Sequence, residues 1–295
     1  MTTVLKRIAA GEVMLADGAM GTMLMKHGLK PGACPELMNA DRPDVLTDIA
    51  RQYCQAGSDI VLTNTFGASP LKLAQYGIDD RTEELNIAAV KAARQACSDT
   101  TLVAASIGPS GQILKPYGEA EPGAVLESFA RQIAAVQSAG IDMIFVETMI
   151  DLSEAVLAIR AARQEAPEIP ISATMTFDET PTGFFTVMGV SVEEAADGLI
   201  EAGADVVGSN CGNGIEKMVE IARQFRSHSK SPVIIQSNAG LPRSEGGGLF
   251  YDESPDFMAN HVRTLIDIGV NVIGGCCGTT PDYIRVFRDL IDGRN

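Results

Sequence analysis

Three cysteines carry the sharpest chemical signal in this sequence. Cys211 lies in "GSNCGNG", and Cys276 and Cys277 are adjacent in "NVIGGCCGTTPD". Three thiolates with one exchangeable position make a zinc site of the catalytic kind. Neighbouring residues on a regular strand point to opposite faces, so the adjacent pair can share an ion only if the strand breaks its pleat. Gly274, Gly275 and Gly278 flank the pair and would permit that break. Two blander readings stay open at this stage. A vicinal disulfide would need strained geometry and an oxidising compartment, and two ordinary buried thiols would leave the glycines unexplained. Cys34, Cys54 and Cys97 fall in helical or loop stretches and read as bystanders. His27 and His228 lie in polar stretches and His261 sits beside Val262 on a helix face, where a solvated or satisfied histidine is the expectation. No P-loop, H-E-x-x-H or complete G-x-G-x-x-G occurs, which leaves phosphate or nicotinamide chemistry without support.

The elements that must position these residues alternate along the chain. Near-continuous apolar runs occur at 12–21, 59–67, 101–109, 142–149, 170–177, 205–214, 232–240 and 271–278. Such runs mark parallel strands buried on both faces. Helical patterns lie between them. Leu126, Phe129, Ile133 and Val136 share one face, as do Ile215, Met218, Val219 and Ala222, and also Met258, Val262, Leu265 and Ile266. Ser191 with Glu194 predicts a capping box, and Thr280 followed by Pro281 an N-cap and first helical residue. Eight βα units in 295 residues predict an α/β fold of the (β/α)8 TIM-barrel type, one domain over 1–295. An open doubly wound sheet is the alternative. The stretch 242–255 reads as a long βα connection, glycine-rich enough to move.

Barrels of this kind place their active sites at the C-terminal ends of the strands. Here those ends are polar: Asp17-Gly18, Thr63-Asn64-Thr65, Glu147-Thr148, Asn210-Cys211, Asn238 and Cys276-Cys277. Any one of them alone could merely cap the next helix, but together they would ring one mouth. The sixth and eighth strands contribute to the same interior layer, so Cys211 can meet Cys276 and Cys277 at the barrel axis. The formal net charge of −15 argues against nucleic acid or an anionic membrane surface as partner. No run is long enough to span a membrane. The N-terminus lacks the apolar core and cleavage site of a signal peptide. Six cysteines in such a chain read as thiols of a reducing compartment, so a cytoplasmic location is expected.

"ADGAMGTML", "CPELMNADRPDV", "LTNTFGAS", "GSNCGNG" and "GGCCGTTP" occur in this order and spacing. In them the sequence resembles the homocysteine S-methyltransferase domain family, from about residue 10 to 290. "TNTFGAS…LKLAQYG" and "GGCCGTTP" are most similar to the homocysteine-binding module of cobalamin-dependent methionine synthase. They are less like betaine–homocysteine methyltransferase or the S-methylmethionine enzymes. The resemblance implies a barrel with Zn2+ held by Cys211, Cys276 and Cys277, and transfer of a methyl group to the thiol of homocysteine to give methionine. It implies that Asp17 and Glu147 face the amino group of homocysteine, and that backbone amides near Gly18 and Ala19 receive its carboxylate. It further implies that Asn64 and Thr65 line the pocket and that Asn238 fills the fourth zinc position when substrate is absent. Cobalamin-dependent methionine synthase continues into folate, cobalamin and activation domains, for which 295 residues leave no room. The expected donor is therefore methylcobalamin carried by a separate corrinoid protein. A small onium donor (S-methylmethionine, betaine or a sulfonium compound) and a non-catalytic homocysteine-binding subunit are the alternatives.

Overall fold

The computed structural model describes residues 3–245 and 248–294. Eight parallel strands form its centre: β1 (Met14–Leu15), β2 (Ile60–Leu62), β3 (Leu102–Ile107), β4 (Met143–Met149), β5 (Ile171–Met175), β6 (Val206–Asn210), β7 (Val233–Ser237) and β8 (Val272–Gly275). From β2 to β8 each strand pairs with the next in sequence, and β8 pairs with β1 through Met14 with Val272 and Leu15 with Ile273. One parallel bridge, Ala16 with Ile60, closes the ring between β1 and β2. Side chains reinforce that thin seam. Asp59 Oδ2 accepts from Leu15 N at 2.8 Å, and Asp17 Oδ2 accepts from Leu62 N at 2.8 Å. With helices between successive strands, this is the (β/α)8 barrel, not the open sheet.

Side chains alternate across the barrel wall, as strand geometry requires. Leu15, Val61, Ala105, Ile144, Val207, Ile235 and Ile273 point outward into the large core shared with the helices. Met14, Ile60, Leu102, Phe145, Val206, Ile234 and Val272 point inward, where Val4 and Ile8 of the helix Thr3–Ala9 join them. That helix plugs the end at which the strands begin. Further along the strands the interior turns polar, with Ser106, Thr174, Asn210 and Gln236 all buried. The apolar end supplies stability and the polar end holds the site.

The capping box of Ser191 and Glu194 forms at the helix Val192–Ala202. Thr280 does precede the helix Pro281–Ile291, but its hydroxyl makes no cap bond. The connection over 242–255 contains an antiparallel hairpin, Arg243–Glu245 with Gly248–Phe250. Gly246 and Gly247, on which its expected mobility partly rests, lie outside the described residues. A second hairpin, Asp178–Thr180 with Gly183–Phe185, follows β5 without an advance signal. Among the described residues no helix is long and apolar enough to cross a membrane.

Candidate active site

The paired cysteines leave β8 through a tight turn. Cys276 N donates to Ser237 O at 2.7 Å, and Thr279 N donates back to Cys276 O at 3.1 Å. Gly278, third in this turn, has φ of 86°, the left-handed value a type II turn requires at that place. Cys276 and Cys277 are the turn's first two residues, and this brings both sulfurs to one side. The glycines act differently from expectation. Only Gly278 uses a positive φ, and a Cβ there would also lie 2.3 Å from Tyr251 Cγ. Gly274 and Gly275 remain within the strand and are needed for space. A Cβ on Gly275 would meet Thr279 Oγ1 at 2.1 Å, and one on Gly274 would meet Ala16 Cβ at 2.9 Å.

Cys211 reaches the pair through a left-handed backbone of its own, φ 61°, which costs a non-glycine residue about 1–2 kcal/mol. Its sulfur lies 4.0 Å from that of Cys277, and the three sulfurs are all within 4.8 Å of one another. Tetrahedral thiolates at a Zn–S distance of about 2.3 Å stand about 3.8 Å apart, so the sulfurs are within about 1 Å of ligand spacing. All three cysteines are free thiols, and the vicinal-disulfide reading is not the one the geometry shows. Hydrogen bonds from Cys276 and Cys277 pull Cys211 down to about 3. Giving those bonds pushes Cys277 up to about 11 and Cys276 well above its ordinary value. Asn238, just past β7, stands near Cys211 and helps to hold that thiol down. Its Oδ1 is buried without a hydrogen-bond partner among the described residues. A soft thiolate set with an orphaned oxygen beside it fits a four-coordinate zinc.

Two buried carboxyls face the same space. Asp17 is 2% exposed and Glu147 9%. The ladder of β4 shifts register between Val146 and Met149, where Thr148 takes φ of 62°. Asn210 holds that irregular turn. Its Oδ1 accepts from Thr148 N at 2.8 Å and from Thr174 Oγ1 at 2.7 Å. Its Nδ2 donates to Thr148 Oγ1 at 2.8 Å and reaches Glu147 Oε2 at 3.4 Å. Ser106 Oγ donates to Glu147 Oε1. Burial pushes Glu147 up to about 7, with the Ser106 bond opposing and the charge of Cys211 adding. Burial also pushes Asp17 well above the usual carboxylate range, against the bond from Leu62 N. Two carboxyls raised by desolvation suit a cation, because an incoming ammonium restores the charged form of both.

These groups open onto one cavity of about 360 Å³, lined among others by Asp17, Gly18, Glu147, Cys211, Cys276 and Cys277. Its apolar wall includes Met20, Met25 and Phe66. Tyr251 closes one side of the cavity, with its hydroxyl near the cysteine cluster. Burial and the neighbouring thiolates push that hydroxyl up to about 12.

Residues 14–291 match the family described as homocysteine S-methyltransferase. The chain belongs to that family. It is 35% identical to a methionine synthase of Mycobacterium leprae (strain TN) over 295 aligned positions, and 34% identical to one of Mycobacterium tuberculosis (strain ATCC 25618 / H37Rv) over 297. Each match takes in 94% of this chain and 24% of the relative, so the chain spans about a quarter of the length of these curated relatives. Its fold is similar to the metallated form of the homocysteine methyltransferase MmuM from Escherichia coli. There the TM-score is 0.80 at 21% identity, covering 99% of this chain and 100% of that one. The family places the chain among methyltransferase enzymes.

The structure sorts the remaining residues expected of a homocysteine S-methyltransferase. Asn64 lines the cavity, but its amide is committed to Pro35 O at 2.9 Å and Asn39 Oδ1 at 2.7 Å, so it braces the neighbouring loop. Thr65 does not line the cavity. It is fully buried and its hydroxyl donates to Ser106 O at 2.7 Å. Ala19 N already donates to Thr279 O at 3.2 Å. Of the two amides expected to meet a carboxylate, only that of Gly18 has no partner among the described residues. Glu36, not foreseen, lines the cavity and is pinned by Gly67 N at 2.7 Å and the Cys34 thiol at 3.2 Å. Cys34 is therefore a brace and not a bystander. The histidines stay outside the cavity: His228 pairs with Asp197 at 2.8 Å and His261 bonds Phe257 O at 3.1 Å. Ser106 and Tyr251 also went unforeseen. A serine inside an apolar run and a tyrosine in a polar loop carry no local signal.

Proposed function

We propose that this homocysteine S-methyltransferase domain binds zinc through Cys211, Cys276 and Cys277 and transfers a methyl group to the thiol of homocysteine, giving methionine. The observation that carries this reading is the convergence of three sulfurs within 4.8 Å on a cavity that also holds two buried carboxyls. Zinc, when bound, would supply deprotonation of a substrate thiol whose free pKa of ~8.5 leaves only a few per cent as thiolate at pH 7. The chain's own residues do the rest. Asp17 and Glu147 take the substrate ammonium by charge-assisted hydrogen bonds, and Ser106 and Asn210 hold the two oxygens of Glu147 in place. Gly18 offers its N–H to the substrate carboxylate. These anchors aim the sulfur, which attacks the methyl carbon in line as the bond to the donor breaks. Asn238, whose Oδ1 is buried without a partner among the described residues, would offer that oxygen to the metal in the absence of substrate.

We take the donor to be a methylcorrinoid, methylcobalamin on a separate protein, acting in a reducing cytoplasm where the thiols stay free. Two features support that donor. The motifs resemble the homocysteine-binding module of cobalamin-dependent methionine synthase. In addition, the exposed Met25 and Phe66 line the cavity, and the exposed Tyr117, Val187, Leu241 and Phe250 lie in the connections that follow the C-terminal ends of β3, β5 and β7. Apolar side chains gathered around one mouth suit a large partner; a small onium donor has no need of them. The test is methionine formation from homocysteine and methylcobalamin, before and after chelation. The expected result is turnover that chelation abolishes and added zinc restores. Turnover with S-methylmethionine or betaine alone would move the donor to the onium class. Zinc-dependent homocysteine binding without turnover on any donor would leave a non-catalytic binding subunit.

A further inference from the structure

Two cysteines far from the metal cluster also meet. Cys54 lies in the last turn of the helix Pro43–Ala56, and Cys97 caps the C-terminus of the helix Thr82–Ala96. Their sulfurs are 3.1 Å apart across 43 residues of sequence. Both are free and partly exposed, so a small reagent can reach them. The approach is fixed by packing: Thr47 Oγ1 donates to Ala92 O at 3.3 Å across the same two helices, and Val45, Ala50, Val90 and Ala92 share the core between them. The surroundings favour a thiolate. The Cys97 thiol and the Thr101 hydroxyl hydrogen-bond to Cys54, and Arg51 stands nearby, which together hold Cys54 below its ordinary value. The same hydrogen bond pushes Cys97 up. Among the described residues, the only group of three or more potential metal ligands is the one at the active site, so the pair calls for dithiol chemistry and not for an ion.

We propose that Cys54 and Cys97 form a redox-active dithiol that reacts with low-molecular-weight disulfides and closes to an intrachain disulfide. A disulfide bond is about 2.05 Å long with tight limits on its geometry, so the two sulfurs need approach by only about 1 Å. The Cys54 thiolate attacks one sulfur of the small disulfide, whose S–S bond breaks and releases one thiolate. Cys97 gives its proton to solvent and attacks Cys54 Sγ. The mixed S–S bond breaks and releases the second thiolate. The small disulfide gains two electrons, and the two cysteines lose them. A partly exposed thiol that accepts a hydrogen bond from a resolving partner is the arrangement this exchange needs.

The test uses the protein with its metal bound, treated with glutathione disulfide, then alkylated and mapped by mass spectrometry. The expected result is loss of two of the six free thiols, a cross-linked peptide joining Cys54 to Cys97, and no metal release. Dithiothreitol should restore both thiols. The Cys97→Ser variant should instead keep a glutathione on Cys54, since nothing resolves it. Full alkylation of Cys54 and Cys97 after the same treatment would overturn the proposal. So would oxidation confined to Cys211, Cys276 and Cys277 with metal released.

Discussion

Glu147→Gln should move stability and substrate binding in opposite directions. Glu147 is buried, and burial raises its carboxyl to about 7, whereas in an unfolded chain it titrates near ~4.3. A folded-state value above the unfolded one means that the folded protein holds the proton more tightly. Stability from this group is therefore present below about pH 4, falls as pH rises to about 7, and stays low above that. At ~1.4 kcal/mol per pH unit the loss amounts to about 4 kcal/mol. Glutamine has nearly the same shape and no charge. It keeps an acceptor for Ser106 but sets an amide group against Asn210 Nδ2, now 3.4 Å away, at a cost of about 1 kcal/mol. The substrate-free variant should thus be slightly less stable than the parent at pH 4 and about 3 kcal/mol more stable at pH 8, measured by urea unfolding. Homocysteine binding should respond in the other sense. Losing a charge-assisted partner in a desolvated cavity costs about 2–3 kcal/mol, or about 30–150-fold in affinity, measured by calorimetry. The parent's affinity should rise more steeply with pH through about 7 than the variant's, which keeps only the rise that thiol deprotonation brings. A variant destabilised at pH 8, or one that binds homocysteine as tightly as the parent, would refute the role given to Glu147.

Other perturbations reach the metal ligands and the turns that aim them. Cys211→Ser should abolish zinc binding and methionine formation while the far-ultraviolet circular dichroism stays that of the parent; retained zinc and turnover would remove Cys211 from the site. Gly278→Ala must place a side chain at φ of 86° and within 2.3 Å of the Tyr251 ring. It should weaken zinc binding by about 10–100-fold in a chelator competition, as lost support around metal ligands does. Asn210→Ala strips Thr148 N and the Thr174 hydroxyl of their acceptor. It should destabilise the protein by about 2–4 kcal/mol and raise the KM for homocysteine more than it lowers kcat.

Periodicity located every barrel strand, because an apolar run buried on two faces is a local property of the sequence. It overran their ends. The run 12–21 yields a strand of only Met14–Leu15, and 205–214 only Val206–Asn210. The surplus residues are the polar ones that leave the ladder to build the mouth, so the overrun falls where the site lies. Cys211, Cys276 and Cys277 were legible as a set because strand parity decides which side chains share a layer. The turn that makes adjacent cysteines convergent was not legible, since it depends on the Thr279 N to Cys276 O bond and on the room made by Gly275. The meeting of Cys54 with Cys97 was invisible for a related reason. It is set by how two helices pack, and neither helix signals its partner.

The non-glycine residues with positive φ among the described residues are Thr148 and Cys211, and both border the cavity. Left-handed backbone at such positions persists only where the surroundings over-determine it. Here Asn210 bonds both the backbone and the hydroxyl of Thr148, and Cys211 is held by its N–H to Gln236 O at 3.1 Å and its carbonyl to Asn213 N at 2.8 Å. The unpartnered oxygens Gln236 Oε1 and Asn238 Oδ1 lie at the same end of the barrel. Each buried orphan costs about 1–3 kcal/mol, and each strained residue a similar amount. The opposite end, sealed by Val4 and Ile8, has no non-glycine residue of positive φ among the described residues, although Ser172 Oγ is a buried orphan there. Left-handed strain is thus concentrated where a metal ion and an amino-acid thiol would bind, and the apolar half of the same barrel supplies the stability that sustains it.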